Sequence, residues 1–100
     1  MASIAQRLEQ YTENRPQEVL VVKVLIDQEP DEILVFRGFS SSLARPTAFD
    51  PEVPVLPDRA EILTIDRVRG PYTPDNPQYI QQGLSWEEFQ LQVLNHVHFW

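Results

Sequence analysis

At 100 residues the chain is one domain, residues 1–100, and its 42% of hydrophobic residues can fill a single modest core. It contains no cysteine, which excludes disulfides, thiolate zinc sites, cysteine-ligated clusters and thiol nucleophiles together. A formal charge of −7 argues against nucleic acid and anionic lipid surfaces as partners, because both need a basic face.

Ser3-Ile4-Ala5-Gln6 reads as an N-cap followed by a capping-box glutamine, and Ile4, Leu8 and Tyr11 then recur at helical spacing. A helix is expected from Ile4 to Glu13, ended by Asn14-Arg15-Pro16, because the residue before a proline resists helical torsions. From Glu18 to Asp27 the run is rich in branched residues, with one charged interruption at Lys23. This is the pattern of a strand covered on much of both faces. Gln28-Glu29-Pro30-Asp31 supplies turn chemistry, and Glu32 to Arg37 is a second strand, so a hairpin follows. Alternation separates Ile33, Val35 and Arg37 from Leu34 and Phe36; with the latter pair facing the core, Arg37 points outward.

Gly38 reads as a bend or bulge at the strand exit, Phe39 as an apolar anchor, and Ser40-Ser41-Ser42 as a capping turn. The segment from Arg37 to Tyr72 then carries an extended, proline-studded crossing. Seven of the nine prolines lie from Pro46 to Pro77, each fixing one torsion and restricting its predecessor, so the path is a stiff, ordered loop. Val53, Val55 and Leu56 give this loop apolar feet. Ala60 to Arg69 is a further strand, in which Leu63, Ile65, Arg67 and Arg69 share a face.

Gly70 to Asp75 is turn-rich. Asn76-Pro77 looks like an N-cap and first helical position, giving a short helix that Gly83 stops. Ser85-Trp86-Glu87-Glu88 is a capping box, and Trp86, Phe89, Val93 and Val97 recur on one face of a final helix. The expected architecture is α+β: a small antiparallel sheet of three to four strands, an N-terminal helix, two short C-terminal helices and the long proline-rich loop.

Basic charge concentrates in the crossing: residues 37–70 hold five arginines and five acidic residues, whereas residues 71–100 hold three acidic residues and no base. Seven of the eight basic residues are arginine, which suits planar pairing with carboxylates. Internal pairs with Asp50, Glu52, Asp58 and Asp66 are one account of them. The other is a protein-docking surface of Arg37, Phe39, Arg45, Phe49, Val55, Arg67, Arg69 and Tyr72.

Reactive chemistry is sparse. His96 and His98 diverge on a helix and lack the further ligands that a metal site requires. A nucleophile elbow needs a second glycine where Ser42 stands, so a small hydrolase using Ser41 or His96 is the weakest reading. Three separated glycines make no phosphate loop, and the carboxylate pairs Asp31-Glu32 and Glu87-Glu88 fall in a turn and a helix cap. The sequence points to no catalytic, cofactor-binding or metal residues.

No apolar stretch is long enough to cross a bilayer as a helix, and the N-terminus lacks the layout of a secretory signal or an organelle import leader. The expectation is a soluble cytosolic protein, bacterial or mature.

Through Arg37 to Tyr72, Asn76-Pro77-Gln78-Tyr79-Ile80 and Gly83-Leu84-Ser85-Trp86-Glu87-Glu88-Phe89, the chain resembles a family of short cyanobacterial and chloroplast proteins. These are the NdhV-like small subunits of the photosynthetic NAD(P)H dehydrogenase-like complex I, and the match spans roughly residues 18–90. The resemblance implies a non-catalytic peripheral subunit on the cytosolic side of the thylakoid membrane, without a cofactor of its own. It implies NdhS and NdhI as neighbours and a role in holding the hydrophilic arm together. It also implies support of ferredoxin-dependent electron input in cyclic electron flow, with acidic ferredoxin as a possible contact for the arginines. A free-standing adaptor or assembly factor of another complex is the alternative.

Overall fold

Ser3 has the extended backbone of an N-cap, and its hydroxyl accepts the Gln6 amide while the Gln6 side chain accepts the Ser3 amide. That reciprocal box starts α1 (Ile4–Glu13) in a computed structural model that describes residues 3–43, 55–57 and 59–94. Asn14 caps its other end, as the Asn-Arg-Pro signal predicts. The buried stripe of α1 is Leu8, Tyr11 and Thr12.

Five antiparallel strands follow: β1 (Glu18–Ile26), β2 (Glu29–Phe36), β3 (Phe39–Ser42), β4 (Glu61–Arg69) and β5 (Tyr79–Leu84). They lie in the order β3-β2-β1-β4-β5, with the branched run of β1 in the centre. The chain ends its described part in α2 (Trp86–Phe89), which continues as a π-helical turn over Gln90–Leu94. The α+β class, the N-terminal helix and the helix that starts after Ser85 agree with the sequence reading, but there are five strands where three to four were expected.

Three local differences separate the fold from the sequence reading, and the first two supply the additional strands. First, the segment expected as a helix before Gly83 is β5. Tyr79-Ile80-Gln81-Gln82 has no apolar stripe at helical spacing, and β4 offers it a free edge to pair with. Gly83 sits at φ +73° inside the strand and not beyond a helix end. One C-terminal helix therefore stands where two were expected. Second, Ser40-Ser41-Ser42 is no capping turn but the body of β3, paired with Ile33, Leu34 and Val35.

Third, both hairpin turns are tighter than their composition suggests. Asp27 and Gln28 have φ of 52° and 68°, and Arg37 and Gly38 have φ of 51° and 84°. Positive φ at both central residues is what a two-residue type I′ turn demands, and its twist matches that of the flanking strands. The first turn thus falls at Asp27-Gln28, leaving Glu29 and Pro30 inside β2. The register it sets turns Ile33 and Val35 into the core, both fully buried, and leaves Phe36 44% exposed. This is the reverse of the expected facing.

α1 and α2 cover the same side of the sheet. Beneath them Leu20, Val22 and Val24 of β1 meet Ile33 and Val35 of β2, Ile65 of β4, and Leu8, Tyr11 and Phe89 from the helices. A bulge in β4 between the partners of Lys23 and Val24 inserts Leu63, so that Ile62 and Ile65 both reach this core. Of the proline-rich crossing, Val55 packs partly buried against the core and Leu56 is buried. Residues 44–54 and 58 lie outside the described residues, and with them most of the expected ordered loop.

Candidate functional site

The second face of the sheet has no helix on it among the described residues. Cross-strand pairing lines up Phe39 with Phe36, Val19 with Val68, and Val68 with Tyr79. Continuation of the β1–β2 register brings Phe36 beside Val19, so Phe39, Phe36, Val19, Val68 and Tyr79 form one row from edge to edge. Val19 and Val68 in its middle are buried, whereas Phe39 is 73% exposed and Tyr79 is 47% exposed. The next row runs Ser41, Leu34, Val21 and Asp66. Exposed Leu43 and Leu63 flank Lys23 and Glu32 at the far end, where the surface dips into an open cavity of about 420 Å³.

Polar groups on this face are few. Asp66, though buried, accepts the Gly83 amide at 2.7 Å, which ties the edge strand β5 to β4. The Tyr72 phenol is pushed above its ordinary pKa, first by burial and then by the charges of Glu32 and of Tyr79 and Asp66. Arg37 lies in the hairpin turn with its guanidinium 5.5 Å from the Phe36 ring centre, extending the apolar row with a cation.

The structure distributes the sequence-proposed docking residues over different places. Arg37 and Phe39 share the helix-free face, and Tyr72 is half-buried in the segment between β4 and β5. Val55 is turned toward the core, and Arg45 and Phe49 lie outside the described residues. Arg67 is on the helix side, where its Nη2 sits 2.7 Å and its Nε 2.9 Å from Glu18 Oε1. Its Nη1 donates to Gln81 at 2.5 Å, and Tyr11 donates to the other Glu18 oxygen. Its guanidinium is spent within the chain and is not available to a partner. The alternation that put Arg67 on the face of Ile65 already carried that signal, because Ile65 is core. Arg69 shares that side of the sheet but is exposed and has no side-chain partner among the described residues.

Phe36 and Tyr79 are exposed on this face, where the sequence reading did not place them. Phe36 was assigned to the core through the shifted turn, and Tyr79 to a helix. The exposed side chains of the face are mainly apolar and aromatic. Ser41 lies on it in an exposed strand position, and both histidines fall outside the described residues. Among the described residues no three His, Cys, Asp or Glu side chains converge to hold a metal ion, and no helix is long and apolar enough to cross a membrane.

A family model described as Domain of unknown function (DUF7734) matches residues 5–93, from α1 through the π-helical turn. Comparison with curated proteins and with solved structures finds no match.

Proposed function

We propose that the chain, which belongs to the family described as Domain of unknown function (DUF7734), is a non-catalytic docking subunit that offers the bare face of its sheet to a larger assembly. The observation that carries this reading is the edge-to-edge row of Phe39, Phe36, Val19, Val68 and Tyr79, with three exposed aromatic rings on a face that no helix covers among the described residues. Aromatic rings are over-represented among residues that dominate binding energy, and here the exposed rings stand toward the two edges of the sheet, on either side of Val19 and Val68, which are already buried within the chain. The assembly we propose is the photosynthetic NADH dehydrogenase-like complex to which the sequence resemblance points. There the subunit would sit peripherally on the cytosolic side of the thylakoid membrane, near NdhS and NdhI, and support ferredoxin-dependent electron input.

The test is co-purification. A tagged chain in a cyanobacterium, recovered from membranes under mild detergent, brings hydrophilic-arm subunits identified by mass spectrometry. The Phe36→Ser/Phe39→Ser variant loses them while remaining folded, as its circular dichroism shows, and Phe39→Ser alone weakens recovery with its melting temperature kept. Recovery of a different complex with the wild-type chain would point instead to an adaptor elsewhere. Undiminished recovery with the variant would remove the sheet face from the interaction.

A further inference from the structure

On the helix side, where α1 gives way to β1, a groove of about 700 Å³ is lined by Arg15, Pro16, Gln17, Glu18, Arg69 and Ile80. Arg69 stands directly across from Glu18 in the β1–β4 ladder, and the Arg15 carbonyl accepts the Glu18 amide at 3.0 Å, so the backbones of both arginines adjoin Glu18 at the rim of the groove. That carboxylate is already engaged. One oxygen takes Arg67 through two nitrogens, and the other takes the Tyr11 hydroxyl.

Neither flanking guanidinium has an ion pair or a hydrogen bond among the described residues. The Arg15 guanidinium lies 4.9 Å from the Tyr11 ring centre. The backbone acceptors of the rim are also used: Thr12 takes the Arg15 amide at 3.1 Å, and Gln17 takes the Gly70 amide at 2.7 Å. The two guanidiniums leave unused donors carrying two positive charges in the groove, next to exposed Pro16 and an Ile80 that is 45% exposed.

We infer that this groove is a second docking site, which takes an extended, carboxylate-bearing segment of a partner protein. Guanidinium forks match carboxylates bidentately, and Ile80 and Pro16 offer an apolar rest for a side chain between two acidic ones. A phosphate backbone is the poorer occupant. Its dense charge would meet the field of a chain at −7, whereas a short acidic segment places only a few charges, each opposite a guanidinium. The site goes beyond the sheet-face reading and does not depend on it, since the aromatic row lies on the opposite side of the sheet.

The experiment titrates the isotope-labelled full chain with a capped Glu-Glu-Leu-Glu-Glu peptide, following amide resonances. The expected result is shifts confined to Asn14, Gln17, Gly70, Ile80 and their neighbours, with affinity that falls as salt is raised. In Arg15→Gln/Arg69→Gln, and less severely in Arg69→Gln alone, affinity drops by about tenfold or more while resonances elsewhere stay in place. Absence of shifts overturns the inference, as does equal binding of the Gln-Gln-Leu-Gln-Gln control or unchanged affinity of the double variant. Tighter binding of single-stranded oligothymidylate at the same residues would reassign the groove to nucleic acid.

Discussion

Glu18 at the start of β1 and Arg67 near the end of β4 are joined through two guanidinium nitrogens on one carboxylate oxygen, at 2.7 and 2.9 Å, beneath the C-terminal turn of α1. The pair is only partly dry: the Glu18 side chain is 7% exposed and that of Arg67 is 22% exposed. Tyr11 and Gln81 complete it from either side, so helix, central strand and edge strand meet at one polar knot.

Removing one partner leaves the other desolvated and unpaired, which is where the cost of a buried pair lies. Arg67→Met and Glu18→Gln should each lower unfolding stability by about 2–4 kcal/mol in urea titrations. The double variant should lose less than the sum of the two. Additive losses would show that the two groups do not stabilise one another.

The same knot makes a prediction for alkaline pH. Burial, then the hydrogen bond to Glu18 and its charge, push the Tyr11 phenol well above its ordinary pKa. Below about pH 10 both folded and unfolded chains keep the proton, and the contribution of Tyr11 to stability is complete. Above that, the unfolded chain releases it while the fold retains it, so stability falls by about 1.4 kcal/mol per pH unit from this group. Tyr11→Phe should remove that component of the slope between pH 10 and 11 in denaturant titrations.

The helix caps, the central strand and the C-terminal apolar stripe as far as Val93 were legible, Val97 lying outside the described residues, because each is decided by neighbours in sequence: Ser3 with Gln6, Ser85 with Glu88, and the branched run from Val19 to Ile26. What escaped was set by register. Asp27 and Gln28 are poor markers of a tight turn next to Pro30, and placing the turn late inverted the facing of Phe36, hence the composition of the bare face. β5 escaped for another reason. Its residues have little intrinsic preference, and the vacant edge of β4 decides their state. Arg67 showed the limit in the other direction, since its partner Glu18 is 49 residues away.

The turns offer a test of that register. Gln28 holds φ at +68° with a side chain, a conformation that costs an L-residue about 1–2 kcal/mol. Gln28→Gly should therefore stabilise the domain by about 0.5–1 kcal/mol once the greater freedom of glycine in the unfolded chain is subtracted. Gly38→Ala should do the opposite by about 1 kcal/mol. A methyl at Gly38 would meet Glu13 no closer than 3.6 Å, so its cost is backbone conformation and not a clash. Thermal melts of the two variants should shift in opposite directions.

Two phenylalanines separate what holds the domain together from what it presents. Phe89 is fully buried, with Tyr11 edge-on at 5.4 Å and Trp86 stacked at 6.2 Å, and it pins the C-terminal helix to the sheet. Phe89→Ala should cost about 3–5 kcal/mol through lost burial and the cavity left behind. Phe39 is 73% exposed in β3, so Phe39→Ser should change stability by no more than about 0.5 kcal/mol. It should also reduce concentration-dependent self-association, because an exposed ring at the end of an uncharged edge strand invites edge pairing. Urea midpoints and light scattering of the two variants measure both. A Phe39 loss approaching that of Phe89 would mean that the ring is used inside the fold, and the sheet face would no longer qualify as a surface held ready for a partner.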